Sequence, residues 1–227
     1  MKTILFLLAF ILLPLVVHAD DKVKVGDQSI TIPYPEGFVR FDGNNADVDK
    51  IMQSMLPPSN RSLMVVATPA DAAKAKAGKP GNLDRFMNIQ TLRAAEGEKI
   101  SLADFKTISG QLEKQFTPDG GGIGNIEDEV NKRIKEAKLG VDLKLGETKL
   151  LGVFDKTDRS VDMGMMMKTK LGDAAPETMA AGMSFVVVHG KVLFLYVYAN
   201  FKNADDITWT RNTVKAWRQA IHAANPE

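Results

Sequence analysis

The residues that could do chemistry in this chain fall into small groups. Gly120, Gly121, Gly122, Ile123, Gly124 and Asn125 precede a helical pattern, and a glycine-rich loop at a helix N-terminus can offer backbone N–H groups to phosphate. The loop lacks the Lys-Ser/Thr of a P-loop and a clean G-x-G-x-x-G. Glu127, Asp128 and Glu129 also crowd the first helical turn, where they use the favourable end of the dipole and would repel an anion. A linker is the plainer reading. Met163, Gly164, Met165, Met166 and Met167 supply thioethers, which suit Cu(I). On a strand, Met163, Met165 and Met167 share a face with Val161, the pattern that adaptable core packing produces. Met166 points the other way, beside Lys168.

Asp155, Asp158, Arg159 and Asp162 form an acidic turn. It lacks the glycine and terminal glutamate of a calcium loop, and a solvated hairpin end accounts for it. His189 sits in a turn, and His222 lies near a helix C-terminus, where the dipole favours its charged form. Neither has a histidine neighbour at ligand spacing. The chain has no cysteine and no G-x-S-x-G nucleophile elbow. A hydrolytic site would have to be assembled near Asp155, Asp158 and His189 from residues distant in sequence. No catalytic residue, cofactor-binding residue or metal ligand is assigned on this basis, and no cofactor is implied.

The elements that must position these groups centre on residues 183–199. Two β-branched and aromatic runs are separated there only by His189 and Gly190, which predicts a hairpin with a primed turn. The turn sets Val188 opposite Lys191 and Phe185 opposite Phe194. One face then carries Met183, Phe185, Val187, Val192, Phe194, Tyr196 and Tyr198, and the other Ser184, Val186, Val188, Lys191, Leu193, Leu195 and Val197. Both faces are apolar, so both must be covered. A closing helix over residues 206–223, capped by Asp205 or Asp206, brings Ile207, Val214, Trp217 and Ile221 onto one stripe. Their burial is worth about 6–12 kcal/mol before entropy.

Lys2, an apolar run over residues 4–17 interrupted by Pro14, and Val17-His18-Ala19 read as a secretory leader cleaved after Ala19. The run is short for a membrane span. Residues 20–227 are then expected as one domain, without an integral membrane span. Losing Lys2 from 29 basic residues against 28 acidic ones leaves charge balance, which gives no argument for nucleic acid. An exported chain without cysteine must be stable without disulfides, which suits a bacterial periplasm.

In chain order the pattern predicts an opening hairpin over residues 23–32, a turn at 33–38, a helix at 47–56 and a strand at 63–68. An Ala/Lys-rich connection of at most a helical turn follows at 70–79, then a strand at 85–92. Ser101 opens a helix with Asp104 as its capping-box partner and Leu102, Phe105, Ile108, Leu112 and Phe116 as its stripe. Asn125 caps a helix over 126–138 that Gly140 closes. Strands at 141–145, 149–154 and 160–170 lead into the central hairpin. The class is α+β, an antiparallel sheet sandwiched between helices.

Two short motifs carry a family likeness: Tyr34, Pro35, Gly37 and Phe38 after the first hairpin, and Val187, Val188, Gly190, Lys191, Val192, Phe194 and Leu195 before the last helix. With the export signal, they make the chain resemble the PsbP-like and DcrB-like group of exported domains. That resemblance implies an α/β/α sandwich and a binding or assembly role without a shared catalytic site, so no functional residue carries over. It also makes segment 118–139 an insertion, and the absence of a lipid-anchor cysteine departs from some bacterial members. The function expected is therefore non-catalytic: a periplasmic binding or assembly protein with a protein partner in the envelope. The alternatives are the hydrolytic site above and a metal or small-ligand carrier using the Met-rich strand.

Overall fold

In the computed structural model, residues 20–43, 45–79, 81–117, 126–136 and 142–227 are described. The expected leader with Ala19, the loop 120–125 with its Asn125 cap, and Gly140 lie outside them. Strands β1 (Asp20–Val25) and β2 (Gln28–Pro33) form a separate two-stranded sheet. Strands β3 (Val39–Arg40), β4 (Asn60–Ala67), β5 (Arg85–Leu92), β6 (Leu143–Thr157), β7 (Ser160–Leu171), β8 (Glu177–Val188) and β9 (Lys191–Asn200) make a seven-stranded sheet. Its order is β3-β4-β5-β9-β8-β7-β6, antiparallel throughout. Helices α1 (Ala46–Ser54), α2 (Pro69–Lys76), α3 (Leu102–Gln115), α4 (Ile126–Glu136) and α5 (Ala204–Ala224) complete the α+β arrangement.

The β8–β9 hairpin has the predicted register, Val188 opposite Lys191 and Phe185 opposite Phe194. His189 and Gly190 both take positive φ, 50° and 74°, as a two-residue primed turn requires. Lys191, expected on an apolar face, is 3% exposed. Its ammonium donates to the Glu96 and Glu98 carbonyls at 3.0 and 2.9 Å and pairs with Asp27 at 2.8 Å, so the buried charge is satisfied.

One sheet face packs Val186, Val188, Leu193, Leu195 and Val197 against Val214, Trp217 and Ile221 of α5. The cover on this side is not wholly helical. Val23, Val25, Ile30 and Ile32 of the opening hairpin join the same cluster, because that hairpin has an alternating apolar face of its own to bury. Gly182 lets α5 cross β8 closely: a Cβ there would sit 2.6 Å from the Thr210 carbonyl oxygen. The other face packs Phe185, Val187 and Val192 under Phe105 of α3, and Val65 and Ala67 under Ala72 and Ala75 of α2.

Several local expectations change. The strands expected at 141–145 and 149–154 are one strand, β6, whose register shifts absorb the intervening residues while pairing with β7 continues. The Ala/Lys-rich connection holds a full helix, α2, because Thr68 accepts from the Asp71 N–H and Pro69 sits at its start. Asn203, not Asp205 or Asp206, caps α5 by accepting from the Asp205 N–H at 2.8 Å. Asp206 serves as the reciprocal capping-box partner. The Ser101–Asp104 box of α3 forms as predicted, but Leu102 is 46% exposed and leaves the stripe.

Candidate functional site

Between the sheet and helices α1, α3 and α4 lies a partly open chamber of about 310 Å³. Strand alternation builds its floor. Phe86, Asn88 and Gln90 of β5 stand opposite Tyr198, Tyr196 and Phe194 of β9, so all six share the chamber face. Met179 and Met183 of β8 continue that face, followed by Met163, Met165 and Met167 of β7. The roof is Met52 of α1 with Met55 and Leu56 beyond it, Leu112 and Phe116 at the end of α3, and Val130, Arg133 and Ile134 of α4.

Helix α4 is held over the sheet edge by its own polar side chains. The Asn131 side-chain amide donates to the Leu145 carbonyl at 2.7 Å, and its oxygen accepts from the Leu145 N–H at 2.7 Å. Glu127 accepts from the Thr148 N–H at 2.7 Å. These bonds occupy backbone groups that edge strand β6 would otherwise leave open to another strand. Glu127 thus serves the sheet edge. Asn131→Ala is expected to free α4, with a local loss of about 1–3 kcal/mol. Hydrogen exchange at residues 126–136 checks it, expected to speed up while exchange in β8 and β9 is unchanged.

Two phenols on the chamber floor are shifted by burial. Burial pushes the Tyr196 phenol up to about 12. Burial, and then the neighbouring Tyr196, push the Tyr198 phenol up too. Both rings keep some accessible surface, but they line the chamber and stack with centroids 6.0 Å apart. Asn60, Gln90 and Asn88 form a buried side-chain chain, Asn60 donating to Gln90 at 2.8 Å and Gln90 to Asn88 at 3.2 Å. Arg133 is the cation of the roof: its Nη1 lies 3.7 Å from Glu129, while its buried Nε has no hydrogen-bond partner among the described residues.

The methionines expected on one face of β7 do share it, and they meet Met52, Met55, Met179 and Met183 around the chamber. Met166 lies on the opposite face, opposite Lys149 and Ala180. Nothing in the sequence spacing shows that residues 52–55, 163–167 and 179–183 converge, because α1 reaches β7 and β8 only across the sheet.

The acidic turn divides. Asp158 is exposed, but Asp162 is fully buried, so the solvated reading is corrected there. Arg218 of α5, 3% exposed, donates to Ser160 at 2.5 Å and to Asp155 at 2.9 Å, and pairs with Asp162 at 3.1 Å. Ser184 donates to Asp162 at 2.6 Å, and Lys215 pairs with Asp155 at 3.1 Å. Burial raises the Asp162 carboxyl above its ordinary value, against the Ser184 bond and the Arg218 charge. Lys215's hydrogen bond leads in lowering Asp155. His189 faces the Pro226 carbonyl at 3.2 Å. Asp155 is thus engaged by α5 and His189 by the C-terminal segment, with no hydrogen bond or ion pair joining the two. Among the described residues no group of three or more His, Asp or Glu side chains could hold a metal ion, and no helix is long and apolar enough to cross a membrane.

His222 departs from its expectation. Burial first, then the Arg218 and Arg159 charges, depress its imidazole below the ordinary value, against Glu227. The folded form therefore holds the neutral ring, while the unfolded chain takes up a proton at about pH 6.5. Stability from this group is present above that pH and falls as pH drops from it toward the lower folded pKa. His222→Leu is expected to flatten that part of the stability profile, measured by urea unfolding between pH 7 and pH 5, about the range where histidine titrates.

No protein-family model matches the chain, and no curated protein sequence matches it. Among solved structures, the Ran-binding protein Mog1p of Saccharomyces cerevisiae is similar at 11% identity and a TM-score of 0.39, over 91% of this chain and 94% of that one. Cyanobacterial PsbP (CyanoP) of Synechocystis sp. PCC 6803 is similar at 12% identity and a TM-score of 0.38, over 93% of this chain and 94% of that one.

Proposed function

We propose that this is a non-catalytic binding protein of the bacterial periplasm, which holds a largely apolar small molecule in the chamber beneath α1, α3 and α4. The observation that carries this reading is the chamber itself: about 310 Å³, at the lower end of ligand-site volumes, and walled by methionine and aromatic side chains. Methionine is unbranched and polarisable, so such walls adapt to an apolar guest. The periplasmic setting is supported by the leader pattern of residues 1–19 and the absence of cysteine from the chain. The small-ligand form of the Met-rich strand reading is thereby favoured over a site near Asp155, Asp158 and His189, where Asp155 is tied to Arg218 and Lys215.

Titration with the neutral fluorophore phenylnaphthylamine is expected to give saturable one-to-one binding with enhanced emission. Met165→Trp, which fills the chamber, is expected to abolish it while the far-ultraviolet circular dichroism is unchanged. Absence of saturable binding by the wild-type protein would overturn the reading. Cell fractionation with N-terminal sequencing tests the location: the mature chain is expected in the periplasm, beginning at Asp20.

A further inference from the structure

We infer that the guest of the chamber is a single-chain amphiphile with one anionic head, such as a fatty-acyl carboxylate, and that Arg133 holds the head. The inference rests on the binding reading above and names its ligand class. Its starting point is the sign of the charges on the walls. Among the described residues that line the chamber there is no Asp or Glu, whereas Arg133 and Lys144 both line it. The sheet edge brings these two cations together: Asn131, two residues before Arg133, is bonded to the backbone of Leu145, the residue after Lys144.

Their states differ. Lys144 is 64% exposed and lies 3.5 Å from Asp142, so it marks the rim. Arg133 is only 16% exposed, and its contact to Glu129, at 3.7 Å to a carboxylate that is 73% exposed, is too long for a hydrogen bond. Its buried Nε is bonded to no described residue. A buried guanidinium N–H without an acceptor is costly, and a carboxylate can accept from a guanidinium in bidentate fashion. The other polar groups facing the guest include the phenols of Tyr196 and Tyr198, which burial keeps protonated and therefore able to donate.

The rest of the chamber fits a tail. From the Arg133 end the floor runs across β6, β7, β8, β9 and β5, four inter-strand steps or roughly 19 Å. Most of the side chains along that path are methionine and aromatic residues. An amphiphile with its head at the α4–β6 edge and its chain along this floor satisfies the cation and the apolar walls at once. A wholly apolar guest leaves the Arg133 Nε unpaired.

The test is competition against phenylnaphthylamine at low salt by dodecanoate and dodecanol, which share a chain length and differ in head charge. The wild-type protein is expected to bind dodecanoate about tenfold or more tighter than dodecanol. In Arg133→Gln that preference is expected to fall to near parity, with dodecanol affinity unchanged. Arg133→Lys is expected to keep part of it, since the charge remains without the planar fork. Equal affinities in the wild type, or a preference that survives in Arg133→Gln, would overturn the assignment while leaving the chamber as a binding site. If the fluorophore and both amphiphiles fail to bind, the chamber reading falls and this inference with it. Unchanged fluorophore affinity in Arg133→Gln shows that the variant keeps the chamber, so that a lost preference is assigned to the head contact.

Discussion

Arg218→Met is expected to destabilise the protein by about 3–5 kcal/mol, a fall in Tm of roughly 10 °C for a chain of this size. Asp162 is fully buried and Arg218 is 3% exposed, and removing the guanidinium leaves Asp162 with only the Ser184 hydroxyl at 2.6 Å. Breaking a buried pair from one side costs more than the pair contributes, because the surviving charge has no solvent. The double variant Arg218→Met with Asp162→Leu is therefore expected to recover most of the loss.

Acidity provides an independent check. The folded-state carboxyl of Asp162 is already raised, chiefly by burial, and loss of Arg218 raises it further. A carboxyl raised on folding favours the native state below its unfolded pKa, and that advantage is lost as pH rises through the folded value. The deficit of Arg218→Met is thus expected to shrink on acidification. Urea unfolding of both variants at neutral and mildly acid pH measures this; a deficit independent of pH would contradict the uncompensated-charge account.

Trp217→Ala is expected to cost a comparable amount, about 3–5 kcal/mol. The indole is 2% exposed and sits in the cluster that joins α5, β8, β9 and the opening hairpin. Its N–H donates to the Pro33 carbonyl at 2.8 Å, so one side chain fills the layer and ties the end of β2 to the helix. Trp217→Phe keeps most of the apolar volume and loses the bond, and is expected to cost about 1–3 kcal/mol. Thermal unfolding ranks the two variants. Asn225 reinforces the same junction, exchanging two hydrogen bonds with the Thr31 backbone at 2.9 and 2.7 Å. Hydrogen exchange at Thr31 is therefore expected to stay slower than at β1 in Trp217→Phe.

The elements whose physics is local were legible in the chain. Two β-branched runs around His189-Gly190 determined the hairpin, its register and its two apolar faces, because side-chain alternation has a period of two and the turn admits one pairing. Ser101 with Asp104 determined a capped helix, and the 3.6-residue period determined a buried stripe of Val214, Trp217 and Ile221, although Ile207, expected on that stripe, is only half-buried and outside the cluster. Partners far apart in sequence were decided only by the tertiary structure. Arg218 follows Trp217 and looks like an ordinary helical charge, yet it is aimed at Asp155, Ser160 and Asp162 on strands more than fifty residues earlier. The acidic turn looked solvated because its counter-ion comes from α5. The chamber was hidden likewise: its methionines are contributed by α1 and the residues after it, by β7 and by β8, and its buried cation by α4. Periodicity reports which face of an element is apolar, but whether that face meets another closely or across a gap depends on how helices lie over a sheet, and that is settled by packing in three dimensions.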